Sequence, residues 1–240
     1  MGNTSSKNHL ARSAEHRHRK FKHPRDTFHA YMIDGAEFDP KYDMPLLRSD
    51  SFIPTALVPF SVAMLSGWND FDCTVHFCER DQDIERFWTN PRRYIPKLIK
   101  FQGALGLDYS TCVDFPRALK EWNAYRNRTC DYFIQSANIP CIPLLRGDPD
   151  IIEREVAGLE IGCAIAVSPR GCVRNRDDRR RFERGLKLIV DRLSPSLIIS
   201  YGPNNYGVLD YPIEKDIEVR TYASRGRGDL GGGALSVEVR

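Results

Sequence analysis

From residue 72 to 224 the chain repeats one rhythm: a short apolar run, a polar loop, then a helical pattern. The runs are "DCTVHFC" (72–78), "GALGLDYS" (103–110), "IPCIPLL" (139–145), "CAIAVS" (163–168), "SLIISYG" (196–202) and "IEVRTYAS" (217–224). Short, continuously apolar runs fit strands buried on both faces. Their alternation with helices makes those strands parallel and covers the sheet. The pattern therefore predicts an α/β fold: a mostly parallel sheet of about six strands with alternating helices. Six strands are too few for a complete eight-stranded barrel, so an open sheet or an incomplete barrel is expected.

The intervening segments carry helix signals. Asn90-Pro91 reads as the N-cap and first position of a helix through Tyr94, Leu98 and Phe101. A long helix starts at Pro116. Leu119, Trp122 and Tyr125 at helical spacing mark its buried stripe, so Trp122 reads as core rather than as a stacking platform for bases. A short helix is expected over 149–157. Asn175 caps an arginine-rich helix with Asp177 and Asp178 in its first turn; Phe182, Leu186, Ile189 and Leu193 face inward, Arg179, Arg180 and Arg184 outward.

Residues 1–30 hold five of the six histidines and no apolar periodicity, which predicts a disordered basic arm. Residues 31–70 are punctuated by proline and read as the irregular opening of a single α/β domain over 31–224. Residues 225–240 form a Gly-rich tail, also expected to be irregular. Hydrophobic content of 41% with 28% charged residues fits a globular protein. No run approaches a membrane span and no charged-then-apolar leader opens the chain, so a cytoplasmic protein without a membrane partner is expected.

Several chemistries are disfavoured. The seven cysteines are odd in number and sit mostly in apolar runs, as buried reduced thiols do. Cys73 and Cys78, five apart in a strand, point to opposite faces and do not form a metal pair. Outside the strongly polar arm only His29 and His76 occur, so Ser-His-Asp, Cys-His and His-ligated metal sites are not expected. No GxxxxGK[ST] appears, and no GxGxxG follows a strand. The sequence identifies no cofactor.

In parallel α/β proteins, ligands sit beyond the carboxyl ends of the strands. Those ends read Glu79-Arg80-Asp81, Asp108-Tyr109-Ser110, Arg146-Gly147-Asp148, Ser168-Pro169-Arg170-Gly171, and Tyr201-Gly202 followed by Asn204-Asn205. Asp108 and Asp148 are the candidate acid–base or nucleophilic pair. Arg146 and Arg170 are candidates to hold a phosphate, with Ser110, Ser168 and Gly171 beside them, and Tyr201 and Asn204 to orient a substrate. Arginine supplies 26 of the 35 basic residues, which favours anionic partners, a nucleotide or a nucleic acid. Asp and Gly after a strand are also ordinary loop formers and caps, and Asp148, just before Pro149, is the residue to which that plainer reading applies most.

The blocks "NPRRYIPKLIKFQGALGLDYSTCVDFPRALKEWNAYRNR", "IPLLRGD" and "AIAVSPRGCVRNRDDRRRFERGLKLIVDRLSPSLIISYG" resemble an uncharacterised domain-of-unknown-function family common in phages, prophages and integrative elements. The likeness covers about residues 60–224. It rests on Asp108-Tyr109-Ser110 after the second strand, Gly171-Cys172 after the fourth and Tyr201-Gly202 after the fifth. Pro169-Arg170, just before that glycine, varies among members. The resemblance implies the fold and a mobile-element setting, with host cytoplasm as the location, and no mechanism. With the rim residues it leads to an expected enzyme acting on a nucleotide or nucleic acid, by group transfer or hydrolysis at a nucleoside or base. The alternatives are a non-catalytic DNA- or RNA-binding accessory protein, or an inhibitor of a host protein.

Overall fold

The computed structural model describes residues 26–224 and 238–239. Strands β1 (Leu57–Pro59), β2 (Thr74–Phe77), β3 (Gly103–Leu107) and β4 (Cys141–Ile142) form one parallel sheet. Strands β5 (Ile165–Val167), β6 (Leu197–Tyr201) and β7 (Glu218–Tyr222) form a second, on which β8 (Glu238–Val239) lies antiparallel. One parallel bridge, Leu144 to Ala166, joins the two. Strand neighbours in sequence are neighbours in space throughout, as in an α/β barrel. The ladder does not close, however, so the architecture is two open sheets. Near the gap, the Tyr222 hydroxyl donates to Pro54 O at 2.5 Å, a side-chain contact where a closed barrel would have a ladder.

Helices α1 (Phe60–Ala63), α2 (Asp81–Thr89), α3 (Ile95–Leu98), α4 (Arg117–Ser136), α5 (Ile152–Val156), α6 (Arg176–Leu193) and α7 (Asp210–Glu214) complete the fold. Strand side chains alternate between helix-covered outer cores and one inner core. Val75, Phe77, Ala104 and Cys141 belong to the outer core of the first sheet, Ile165, Val167 and Ile198 to that of the second. Leu57, Leu105, Ile142, Ala166, Ile199 and Tyr222 meet on the inner side. Cys73 and Cys78 fall in different clusters, as their spacing requires.

Two sequence expectations about helices fail. Leu119 and Trp122 are 38% and 40% exposed, so they do not form the buried stripe of α4. Its buried side is largely polar: Lys120, Asn123, Asn127, Arg128, Asp131 and Gln135 are buried beside Ala124, Cys130 and Ile134. The reason is that α4 covers irregular backbone whose polar groups need partners once water is excluded. Gln135 donates to Arg48 O at 2.8 Å and Cys141 O at 3.0 Å while accepting from Arg48 N. Arg128 closes the end of α5 by donating to Glu155 O at 2.8 Å and Ala157 O at 2.5 Å. Asn90 makes no side-chain cap; a 3-10 turn, Pro91–Arg93, and the short α3 replace the longer helix expected there. By contrast Asn175 caps α6, its Oδ1 accepting from Asp178 N at 2.8 Å, and Phe182, Leu186, Ile189 and Leu193 are buried.

The Pro-punctuated segment is not wholly irregular, since it supplies β1. The expected disordered arm lies outside the described residues up to residue 25. Its last part folds onto the domain: Asp26 accepts from the Phe28 and Tyr31 N–H groups, and the His29 ring packs 4.8 Å from Trp88. The tail at 225–237 likewise lies outside them. Among the described residues no helix is long and apolar enough to cross a membrane.

Candidate active site at the strand ends

Asp108 owes its direction to a bulge. The pairing of β2 with β3 runs from Val75–Ala104 to Phe77–Leu107, so β3 carries one residue more than its partner. Such an insertion reverses the in–out alternation beyond it. Leu105 lies in the inner core, Leu107 and Tyr109 lie in the outer one, and Asp108 between them turns inward. Helix α4 holds the bulge. Asp131 Oδ1 accepts the Leu107 N–H at 3.0 Å, Asn127 Oδ1 accepts that of Tyr109 at 2.9 Å, and Asn123 donates to Ser110 O at 2.6 Å. Glycine at 106 is required, because a Cβ there would lie 2.6 Å from the Asp131 carboxylate.

At the inner rim Asp108, 3% exposed, forms an ion pair with Arg146, which also donates to Asp108 O at 3.0 Å. Burial pushes the Asp108 carboxyl up to about 7 against the opposing charge of Arg146. Arg170 donates to Cys78 O at 3.1 Å, which carries its charge toward the same group. The Ser168 hydroxyl donates to Tyr201 O at 2.9 Å and faces the Cys78 thiol, which burial raises far above the usual range. Ser110 gives both its N–H and its hydroxyl to Asp81 Oδ1, at 3.1 and 3.0 Å. Beneath this layer the His76 ring lies 4.0 Å from that of Tyr201, tilted by 35°. His76 Nδ1 accepts from Cys78 N, and burial holds the imidazole down to about 3. A neutral ring fits that interior.

Asp108, Arg146, Arg170, Ser168 and Ser110 thus converge, directly or through one intermediate. Asp148 belongs to a different knot. Its Oδ2 pairs with Lys120 Nζ at 3.1 Å, and its Oδ1 accepts from Arg181 at 2.9 Å and from Asp150 N at 2.9 Å. Glu155, raised by burial to about 8, accepts from Gly147 N and Asp148 N and fixes the turn. Gly147 also lies against Gly185 of α6, so this loop is a packing joint between the helices. Tyr201, 1% exposed, is part of the inner wall, whereas Gly171 (φ 81°) has open space where a Cβ would stand.

Asn204 lines a separate pocket. Gly202, Pro203, Asn204, Asn205, Thr221, Ala223 and Ser224, at the ends of β6 and β7, enclose about 300 Å³. Gly202 (φ 141°) is the partition: a Cβ on it would stand 2.9 Å from Arg170 N. The wall shared by the pocket and the Arg170 loop is therefore bare backbone. Asp81, Cys78, the His76 beneath them and Cys172, whose thiol burial raises beside Arg146, are the residues around the rim that the sequence reading left unassigned as site groups. Asp81, named with its strand end, and Cys172, in the Gly171-Cys172 pair of the family resemblance, carried a signal there. Among the described residues no group of three or more His, Cys, Asp and Glu could hold a metal ion.

Residues 36–223 match the profile of the family described as "Domain of unknown function (DUF4417)". Two curated relatives are mycobacteriophage proteins. The "Gene 1 protein" of Mycobacterium phage D29 is 31% identical over 172 residues, covering 69% of this chain and 62% of that protein. The "Gene 1 protein" of Mycobacterium phage L5 is 30% identical over 176 residues, covering 69% of this chain and 73% of that one. No solved structure matches. The chain is a member of the DUF4417 domain-of-unknown-function family, and its relatives are phage proteins.

Proposed function

We propose that the protein is a phage-associated enzyme acting on a nucleotide or nucleic acid in the host cytoplasm, by group transfer or hydrolysis at a nucleoside or base, with its site at the strand ends. The observation that carries this reading is Asp108. It is a buried carboxyl aimed inward by a dedicated bulge, pushed up to about 7 by burial and paired with Arg146. Near neutral pH it can take a proton from an attacking hydroxyl and return one to a leaving group. Arg146 and Arg170 supply cationic donors for a phosphate next to it. Of the two carboxylates singled out in the sequence, Asp108 is the one assigned to chemistry, since both oxygens of Asp148 are occupied in its ion-pair knot.

Thermal melting of the wild type and Asp108→Asn against mononucleotides and a short DNA duplex, with product analysis, tests the proposal. A ligand at a hundred times its dissociation constant adds about 2.7 kcal/mol to stability. A mononucleotide-induced shift that the substitution changes, with turnover lost, supports the enzyme. A second reading, a non-catalytic nucleic-acid-binding protein, rests on the basic N-terminal arm and on Arg179–Arg184, of which Arg180 and Arg184 are exposed on α6. It predicts a shift with DNA alone, unchanged by Asp108→Asn and lost when residues 1–25 are removed.

A further inference from the structure

We propose that the pocket at the ends of β6 and β7 is a base pocket, taking the uncharged, planar, hydrogen-bonding ring of a nucleoside while its phosphate lies toward Arg170. The inference rests on the strand-end reading above and assigns a substrate class to a part of the rim where the sequence reading gives a role only to Asn204, as an orienting residue. The volume, about 300 Å³, falls at the foot of the range of about 300–1,000 Å³ usual for small-molecule sites, enough for a compact ring system rather than a polymer.

The lining decides the chemistry. Asn204 and Asn205 offer carboxamides, each with donors and an acceptor, and Thr221 and Ser224 offer hydroxyls. Among the described residues no Asp, Glu, Lys or Arg lines the space. A charged ligand finds no counter-charge among these side chains, whereas a neutral ring edged with mixed donors and acceptors finds partners for both.

The surroundings supply what the pocket lacks. Across Gly202 lies the backbone of Arg170, an exposed cation already drawn toward Asp108. The residue after the lining asparagines, Tyr206, is 68% exposed with the Arg179 guanidinium 4.1 Å over its ring, a flat cation–aromatic pair of the kind that accompanies base binding. Neutral pocket, glycine partition and adjacent arginine together match the division of a nucleotide into ring and phosphate.

Isothermal titration of the full chain with four free nucleosides, their 5′-monophosphates and inorganic phosphate, each against the Asn204→Ala/Asn205→Ala double variant, Thr221→Val and Arg170→Gln, tests the assignment. The expected result has three parts. At least one uncharged nucleoside binds the wild type; the double variant weakens it tenfold or more and Thr221→Val weakens it measurably; Arg170→Gln leaves it within twofold while weakening the monophosphate tenfold. If monophosphates bind and depend on Arg170 but no nucleoside binds and Asn204 and Asn205 are indifferent, the base pocket is wrong and the strand-end site survives. Nucleoside binding indifferent to all three pocket positions also overturns it, as does the absence of binding by every ligand.

Discussion

Asp131→Asn should make the fold markedly less sensitive to rising pH. Asp131 is 2% exposed, and burial carries its carboxyl from 3.8 up to about 7, only partly offset by the Leu107 N–H it accepts. Between those two values the folded state holds a proton that the unfolded chain has released, so stability falls as pH rises through that window. Each pH unit inside it costs about 1.4 kcal/mol, which gives about 4 kcal/mol over the whole window and about 3 kcal/mol between pH 5 and 8. Asparagine keeps an acceptor for Leu107 N and cannot ionise. Asp108 and Glu155, also raised, remain in both proteins and cancel in the comparison. Urea unfolding at pH 5, 6, 7 and 8 should show the variant gaining about 3 kcal/mol on the wild type across the series. A difference that stays constant with pH would refute the reasoning, since it would mean the Asp131 carboxyl has its ordinary acidity.

Two further expectations concern the scaffold of the rim. Gly185→Ala lies in a helix interior, where alanine ordinarily gains about 1 kcal/mol. Its Cβ would instead meet Gly147 O at 2.1 Å, so the variant should lose about 1–3 kcal/mol by urea denaturation, and a gain would deny the contact. Lys120→Met leaves Asp148 buried with its Lys120 partner gone and should cost about 3–5 kcal/mol, whereas Asp150→Ala, at the exposed end of the same cluster, should cost about 1 kcal/mol or less.

What the sequence disclosed and what it hid have separate physical causes. Apolar runs located β2 to β6, because a strand covered by helices is apolar along its length; β7 was located although only Val219 and Tyr222 of it are buried; and α6 was located by its cap and stripe, which are local signals. It missed β1, three residues ending in Pro59, where an edge strand needs neither length nor every N–H. It misread α4 because the burial of Asn123, Asn127, Asp131 and Gln135 answers to unpaired backbone elsewhere in the chain, at Leu107, Tyr109 and Arg48, and no spacing within the helix reports that. Asp108, Arg146 and Arg170 were visible as polar strand ends, a consequence of parallel topology. The bulge that turns Asp108 inward is a relation between β2 and β3, and the ion-pair knot around Asp148 is one between α4 and α6, so neither can be read from one stretch of sequence.

The central claim is that Asp108 is poised to exchange a proton near neutral pH. Carboxyl-carbon NMR of aspartate-labelled protein, with Asp108→Asn to assign the resonance, measures that directly. The account predicts a signal, absent from the variant, that titrates close to 7 and moves higher when Arg146→Met removes the charge that pulls it down. A signal titrating near 4, unmoved by Arg146→Met, would contradict it and leave the strand ends without their acid–base group.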